Sequence, residues 1–298
     1  MTVASSPPEV LLRAASRARA LRGRVLVVKL GGSAMEDPAA TRGTLESVVC
    51  LQTLGVGLVL VHGGGKPIDR AMAAAGLEPK KVAGRRYTDE KTLAIVVRVL
   101  RELNAGLVEQ VRALGGHATG FPDPESGDHS FGGYPIYGDR LTLTGPGGEA
   151  IDLGHVGRVA DVDVQELEVM VDFGGEIPIL ASLASSPAYT WLNVNADTAA
   201  SAVAGALKAE ACYFLTDTPG VLRDVKDPGS LIPRLTRAEC QKLIADGVIA
   251  GGMIPKVEAC FEALDAGAGR AVILDGRNPH ALLGEFVSEN LSGTVIVN

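Results

Sequence analysis

The stretch Asn193-Val194-Asn195-Ala196-Asp197-Thr198 follows an apolar run from Ile177 to Leu183 and opens a helix of small residues reaching Leu207. It sets two carboxamides and a carboxylate where an apolar strand should end and a helix begin. The first turn of a helix leaves its N–H groups without intrahelical partners, so such a junction suits a charged small molecule. Asn and Asp are also preferred helix caps, and Asp197-Thr198 fits a plain capping role equally well. The rest of the chain has to decide between the two readings.

Upstream, Arg24 to Leu30 is a nearly continuous β-branched and aliphatic run ending in Lys29-Leu30-Gly31-Gly32-Ser33. A strand apolar on both faces belongs inside a parallel sheet, and the carboxyl ends of such strands are where open α/β sheets bind ligands. Glycines there let backbone amides approach phosphate oxygens, with Lys29 beside them. The GxxxxGK[ST] spacing of a Walker loop is absent. After a helical segment from about Asp37 to Leu54 the arrangement recurs: Leu58 to Val61 leads into His62-Gly63-Gly64-Gly65-Lys66-Pro67. A lone histidine at a strand end reads as structural more readily than as a base.

Next, Gly84-Arg85-Arg86-Tyr87-Thr88-Asp89 precedes a long helix whose Leu93, Val96, Val97, Leu100, Leu103, Leu107 and Val111 keep helical spacing. Thr88 or Asp89 caps it. One arginine of the pair has the planar fork that clamps a carboxylate, although two solvent-facing cations are the plainer reading. Gly120 to Ala160 alternates and is rich in Gly and Pro, which predicts hairpins, and Asp163 to Phe173 predicts a helix.

The second half repeats the alternation. Ala211 to Leu215 is a predicted strand ending in Thr216-Asp217-Thr218-Pro219-Gly220, and Thr236 with Glu239 forms a capping box. In Gly251-Gly252-Met253-Ile254-Pro255-Lys256, glycines and an early proline open a helix with a lysine just inside, aiming N–H groups and a cation at an anion. Arg270 to Leu274 and Thr294 to Val297 are the last predicted strands. At the other end, Ser6-Pro7-Pro8-Glu9 starts a helix to about Leu21, whose apolar stripe of Leu11, Ala14, Ala15, Ala18 and Leu21 suits docking on another subunit.

The alternation predicts a central, mainly parallel sheet flanked by helices. With 298 residues and 46% hydrophobic content the chain can bury a large core, while a net charge of -7 argues against a general nucleic-acid binder. Cys50, Cys212, Cys240 and Cys260 are widely spaced and read as buried thiols. No transmembrane run or signal peptide is evident, which places the chain in the cytosol as an expectation. Glycine turns, two lysines and an acid, with no Ser-His-Asp order and no His cluster, suit phosphoryl transfer, where positioning and charge neutralisation dominate. An ionised carboxylate acceptor would need no base.

Together, Lys29-Leu30-Gly31-Gly32-Ser33, His62-Gly63-Gly64-Gly65, Arg86-Tyr87-Thr88-Asp89, Asn193-Val194-Asn195-Ala196-Asp197, Leu215 to Val221 and Gly251 to Val257 resemble the N-acetylglutamate kinases of the amino acid kinase family. The resemblance spans about the whole chain. It implies a three-layer αβα sandwich, ATP with Mg2+ as donor, and phosphorylation of the side-chain carboxylate of N-acetyl-L-glutamate in arginine biosynthesis. It implies that Lys29 and Lys256 neutralise the moving phosphoryl group, Asp197 orients both lysines, and Gly31, Gly32, Gly64 and Gly65 bind phosphate. Gly64, Gly65, Arg86, Asn193 and Asn195 would hold the acceptor, and Thr216, Asp217, Gly220 and Val221 would line the nucleotide pocket.

Similarity to the arginine-inhibited members further implies an oligomerisation helix in 1–22, an acceptor lobe over 23–192 and a nucleotide lobe over 193–298. The chain would then form a hexamer, with L-arginine acting at His280, Glu285 and Gly293. A PII-type signal protein as partner is not legible. Phe121 to Gly127, Ala184 to Tyr189, Arg85 and Tyr87 depart from the pattern around the acceptor pocket. Two other readings therefore stand beside the first: a sister kinase for a different or carrier-linked acidic amino acid, and a catalytically silent amino-acid sensor.

Overall fold

A computed structural model describes residues 6–82, 84–122, 134–145, 147–173, 175–188, 190–288 and 292–298. The helices are α1 (Pro7–Ala20), α2 (Pro38–Thr53), α3 (Gly65–Ala74), α4 (Glu90–Ala113), α5 (Val164–Glu168), α6 (Ala196–Ala206), α7 (Arg237–Ala245), α8 (Ile254–Ala266) and α9 (Ala281–Val287). Eight strands form the central sheet. In spatial order they are β12 (Arg234–Thr236), β14 (Thr294–Val297), β13 (Ala271–Asp275), β11 (Ala211–Thr216), β1 (Val25–Leu30), β2 (Gly57–His62), β8 (Ile177–Ala181) and β5 (Ala118–Phe121). All neighbours run parallel except β13 and β14.

The alternation along the middle strands explains the layers. Leu26, Val28 and Leu30 of β1 join one buried cluster while Val27 joins the other, and β2 divides Leu58 and Leu60 from Val59 and Val61 in the same way. A strand that buries both faces needs helices above and below it. Val203 of α6 and Val257 of α8 cover one face, Leu45 of α2 and Phe286 of α9 the other. Truncating a fully buried leucine such as Leu60 to Ala in such a core costs about 2–5 kcal/mol. The helices α6 and α8 approach closely because Gly205 has no side chain: a Cβ there would come within 2.1 Å of the Ala266 Cβ.

A smaller sheet stands beside the main one. It joins β6 (Ile136–Thr144), β7 (Ala150–Val162), β9 (Leu183–Ser185) and β10 (Trp191–Asn193), and β3 (Lys81–Val82) pairs with β4 (Arg85–Arg86) as a short ribbon. The expected hairpin in Gly120–Ala160 is β6 with β7.

Two expectations are corrected. The run Ile177–Leu183 is not one strand: it leaves the main sheet after Ala181, and Leu183 already pairs with Asn193 in the small sheet. Asp163 to Phe173 is α-helical only to Glu168, then takes a π turn over Val169–Phe173. Across that turn Val171 packs where a Cβ on Gly57 would meet its Cγ1 at 2.7 Å. Most of the departure in Phe121–Gly127, and Tyr189 of Ala184–Tyr189, lie outside the described residues.

Both sequence-legible capping boxes form. Glu9 Oε2 accepts from the Ser6 N–H and hydroxyl at 2.7 and 2.9 Å, and Glu239 Oε2 does the same for Thr236. On α1, Ala14 and Ala18 are buried, and Arg13 and Arg17 donate to the Val287, Glu285 and Ser288 carbonyls at and after α9. The helix thus docks on its own chain, while Leu11 and Leu12 stay about two-thirds exposed. All four cysteines are free thiols; Cys212, Cys240 and Cys260 are buried and Cys50 is partly so. No helix among the described residues is long and apolar enough to cross a membrane.

Candidate active site

A cleft of about 270 Å³ opens at the carboxyl ends of β1 and β2, between the β3–β4 ribbon and the start of α6. Its lining brings together Lys29, Gly31, Gly32, Gly64, Gly65, Arg86, Asn193, Asn195 and Asp197, nine residues picked out by the sequence.

Parallel registry places them. Leu30 lies opposite both His62 and Leu215, so the three glycine- or threonine-bearing turns leave the sheet at one edge. A Cβ on Gly31 would sit 2.1 Å from Lys29 Nζ and 3.3 Å from the Leu215 carbonyl, so a side chain there would displace the Lys29 ammonium. Nothing lies within 4 Å of a Cβ placed on Gly32 or Gly65, so their backbones face open space that a ligand can enter.

The opening stretch resolves into two roles. Asn195 is the cap of α6, its Oδ1 accepting from the Asp197 and Thr198 N–H groups at 2.8 and 3.1 Å. That leaves the Asp197 carboxylate free in the first turn, where it meets Lys29 Nζ at 2.8 Å with the lysine side chain only 12% exposed. An ammonium so enclosed is held in one place by its partner, which suits a group that must meet phosphate oxygens.

Lys256 differs from expectation. Its ammonium pairs with Asp217 rather than with Asp197, and that hydrogen bond leads the causes holding the Asp217 carboxyl below its ordinary value. The pair places Lys256 against the Thr216–Val221 turn, and neither lines the cleft itself. That turn is fixed by Thr216 and Thr218 hydroxyls 3.0 Å apart and by the Val221 N–H donating to Thr294 Oγ1 at 2.8 Å. Gly220 takes φ +142°, and a Cβ there would lie 2.6 Å from the same oxygen.

Arg86 is clamped to α3. Its Nη1 lies 2.6 Å from Asp69 Oδ1 and its Nη2 donates to the Gly65 carbonyl at 3.2 Å. Arg85 lines the cleft too, so both arginines face it. Asn193 donates to Thr88 Oγ1 at 3.1 Å, and Thr88 donates to the Arg86 carbonyl at 2.9 Å, tying β10 to β4.

His62 is the structural residue it was read as. It is fully buried, its Nδ1–H donates to the Gly63 carbonyl at 3.2 Å, and Nε2 accepts from Asn104 at 3.0 Å. Burial pushes its pKa down to about 4, so at neutral pH it is an uncharged brace beneath the Gly63–Gly65 turn.

Sequence reasoning missed Ser182 and Asp69; the first lines the cleft and the second holds Arg86. Lys81, which with Lys80, Arg85 and Arg86 could form a basic rim for a carrier-linked acceptor, lines the cleft as well. Ser182 had a signal, a lone hydroxyl inside the apolar run Ile177–Leu183. Asp69 had none, since the reach from α3 is tertiary. Of the predicted effector residues, Glu285 accepts from the N–H and hydroxyl of Ser292, the residue before Gly293, and a Cβ on Gly293 would stand 2.1 Å from the Ile273 carbonyl, while His280 lies 3.7 Å from Glu46.

Residues 24–275 match the model of the amino acid kinase family. The chain is 40% identical to an acetylglutamate kinase of Acaryochloris marina over 98% of each chain. It is 38% identical to the acetylglutamate kinases of Akkermansia muciniphila, covering 97% of this chain and 94% of the relative, and of Methanocaldococcus jannaschii, covering 97% and 95%. Among solved structures it superposes on N-acetylglutamate synthase from Neisseria gonorrhoeae, complexed with coenzyme A and N-acetyl-glutamate, with TM-score 0.84 and 25% identity. The alignment covers 99% of this chain and spans 64% of the synthase. The carbamate kinase of Giardia lamblia shares the fold at TM-score 0.61 and 18% identity, over 92% of this chain and 98% of that one.

Proposed function

Because the chain belongs to the amino acid kinase family and aligns along nearly its whole length with acetylglutamate kinases, we propose how its residues divide the work of one reaction. That reaction is the ATP-dependent phosphorylation of the side-chain carboxylate of N-acetyl-L-glutamate, a step of arginine biosynthesis. A carboxylate oxygen attacks the terminal phosphorus, the bond from phosphorus to the bridging oxygen breaks, and ADP leaves with the electron pair. The acceptor is already ionised near neutral pH, so no general base is required.

The Lys29–Asp197 pair among the Gly31, Gly32 and Gly64 amides carries this reading, and His62 beneath the Gly63–Gly65 turn is buried, neutral and hydrogen-bonded elsewhere. Lys29 and the glycine amides stabilise charge on the moving phosphoryl group, and Asp197 fixes the Lys29 ammonium. Lys256 approaches from the nucleotide side, and Asp217 keeps it extended until phosphate displaces the pair. Arg86 and Asn193 hold the acceptor's α-carboxylate and acetamido end, with Asn195 setting the turn behind them. The Thr216–Val221 turn lines the nucleotide pocket. Residues 23–192 form the acceptor lobe and 193–298 the nucleotide lobe.

Mg2+ enters with the nucleotide as part of the substrate, carried by phosphate oxygens and water. Among the described residues no three His, Cys, Asp or Glu side chains are grouped to hold a metal. Regulation belongs to the same proposal: L-arginine acts in the cleft under α1, where Glu285 stands, and α1 joins chains into a hexamer.

The test is trapping of the acyl phosphate with hydroxylamine, with and without L-arginine, on the wild type and Lys256→Ala. Hydroxamate from N-acetyl-L-glutamate, lowered by about 10²-fold or more in the variant, is the expected result. Its absence with this acceptor and its appearance with another acidic amino acid would move the substrate assignment and leave the phosphoryl machinery in place.

A further inference from the structure

Ser182 sits at the bend between β8 and β9, where the chain leaves the main sheet for the small one. It is 4% exposed and lines the active-site cleft, and its hydroxyl has no hydrogen-bond partner among the described residues. Other buried hydroxyls of this chain are engaged: those of Ser47, Thr88 and Ser201 donate to backbone carbonyls at 2.8, 2.9 and 2.9 Å. A hydroxyl left without a partner in so enclosed a place costs free energy unless something that enters the cleft takes the bond.

Parallel registry tells which substrate it faces. Ala181 lies opposite His62 and His62 opposite Leu30, so Ser182, Gly63 and Gly31 leave the sheet at one level. A Cβ on Gly63 would lie 3.9 Å from Ser182 Oγ, which puts the hydroxyl beside the glycine turn. Strand β8 stands two strand spacings from β1, roughly 10 Å, on the side away from β11 and the Thr216–Val221 turn. The hydroxyl therefore belongs to the acceptor's half of the cleft. The Ser182 carbonyl accepts the Val194 N–H at 3.1 Å, which seats the residue against the segment that carries Asn193. Asn193 donates one N–H to Thr88 Oγ1, and its Oδ1 has no partner among the described residues. An acylated amine brings one donor, its N–H, and one acceptor, its carbonyl oxygen. The Asn193 oxygen suits the first, and the Ser182 hydroxyl supplies a donor for the second.

We propose that Ser182 is a specificity-determining residue of the acceptor site, its hydroxyl donating to the acyl carbonyl of an N-acylated acidic amino acid while Asn193 Oδ1 takes the acyl N–H. The inference rests on the acceptor reading above and adds the means by which the cleft tells an N-acylated acceptor from the bare dicarboxylate. A site that pairs with a polar group of its substrate rejects an analogue lacking that group, because its own enclosed group is then left unpaired.

Hydroxylamine trapping tests it on the wild type, Ser182→Ala and Ser182→Cys, with N-acetyl-L-glutamate as acceptor and glutarate, which lacks the acetamido group, as a competing dicarboxylate. The cysteine keeps an atom at the γ position but is only a weak donor. Both variants are expected to raise KM for N-acetyl-L-glutamate about tenfold, with KM for ATP and the inhibition constant of glutarate within about twofold of the wild type. An unchanged KM for N-acetyl-L-glutamate in Ser182→Ala would overturn the proposal, as would an equal weakening of glutarate and N-acetyl-L-glutamate, the mark of a merely structural serine. Full recovery in Ser182→Cys would do the same, since it would assign the position to packing. A wild type that forms no hydroxamate from N-acetyl-L-glutamate would instead remove the acceptor reading, and this inference with it.

Discussion

His62 ties acid stability to one imidazole. The buried ring titrates near 4, whereas an unfolded histidine titrates near 6.5, so between these values the unfolded chain binds a proton that the folded chain refuses. Stability is complete above about pH 6.5 and falls as pH drops toward 4. From pH 7 to pH 5 this single site should cost roughly 2 kcal/mol. Urea unfolding at the two pH values should show the loss in the wild type, and a flatter dependence in His62→Gln, whose side chain does not titrate; equal slopes would mean that other groups govern acid stability. Arg86 offers a kinetic counterpart. If it grips the acceptor while Asp69 and Gly65 hold it, Arg86→Ala should raise KM for N-acetyl-L-glutamate by about tenfold or more, with a smaller change in kcat. A fall in kcat at unchanged KM would transfer the acceptor contact to Arg85. Spacing in the sequence brought both arginines to the cleft but did not reveal the Asp69 clamp, because that contact depends on how α3 packs.

At the scale of elements, the start of α6 joins stability to chemistry. Asn195 accepts two N–H groups of the turn that carries Asp197, so Asn195→Ala should cost about 1 kcal/mol of stability and also loosen the carboxylate that holds Lys29. Asn195→Asp keeps the acceptor and adds a negative charge at a helix N-terminus, where the helix dipole favours it. Thermal unfolding and hydroxamate yield together should place the Ala variant lowest on both, with Asp restoring stability; full activity in the Ala variant would show that Lys29 alone fixes Asp197. The sequence exposed the junction and both of its uses, capping and charge binding, and offered Asp197-Thr198 for either; the fold gives the cap to Asn195 and the charge to Asp197. Local pattern located the turn within a residue or two; only the fold tells which of two similar polar side chains reaches back. The same limit explains Ile177–Leu183, where an apolar run interrupted by a single hydroxyl hides a change of sheet at Ser182.

For the whole molecule, the parallel core was legible because strands buried on both faces have an unmistakable composition, and the strand β1 register then gathers the glycine turns at one edge. What the sequence could not convey were pairings across that edge, such as Lys256 with Asp217, and the small sheet, whose strands are short and draw on distant segments. Helix α1 raises the matching question for the assembly. It is fastened to its own chain by Ala14, Ala18, Arg13 and Arg17, yet Leu11 and Leu12 on adjoining positions stay about two-thirds exposed, an arrangement that wastes apolar area unless another chain covers it. If α1 joins chains into a hexamer, deleting residues 1–22 should leave a smaller assembly by light scattering, and Leu11→Glu with Leu12→Glu should do so without disturbing Arg13 and Arg17. The double variant separates the two contacts of the helix: it leaves the Arg13 and Arg17 hydrogen bonds at α9 in place, so loss of assembly with the fold retained is the expected result, and an assembly that survives both changes would assign α1 to its own chain alone.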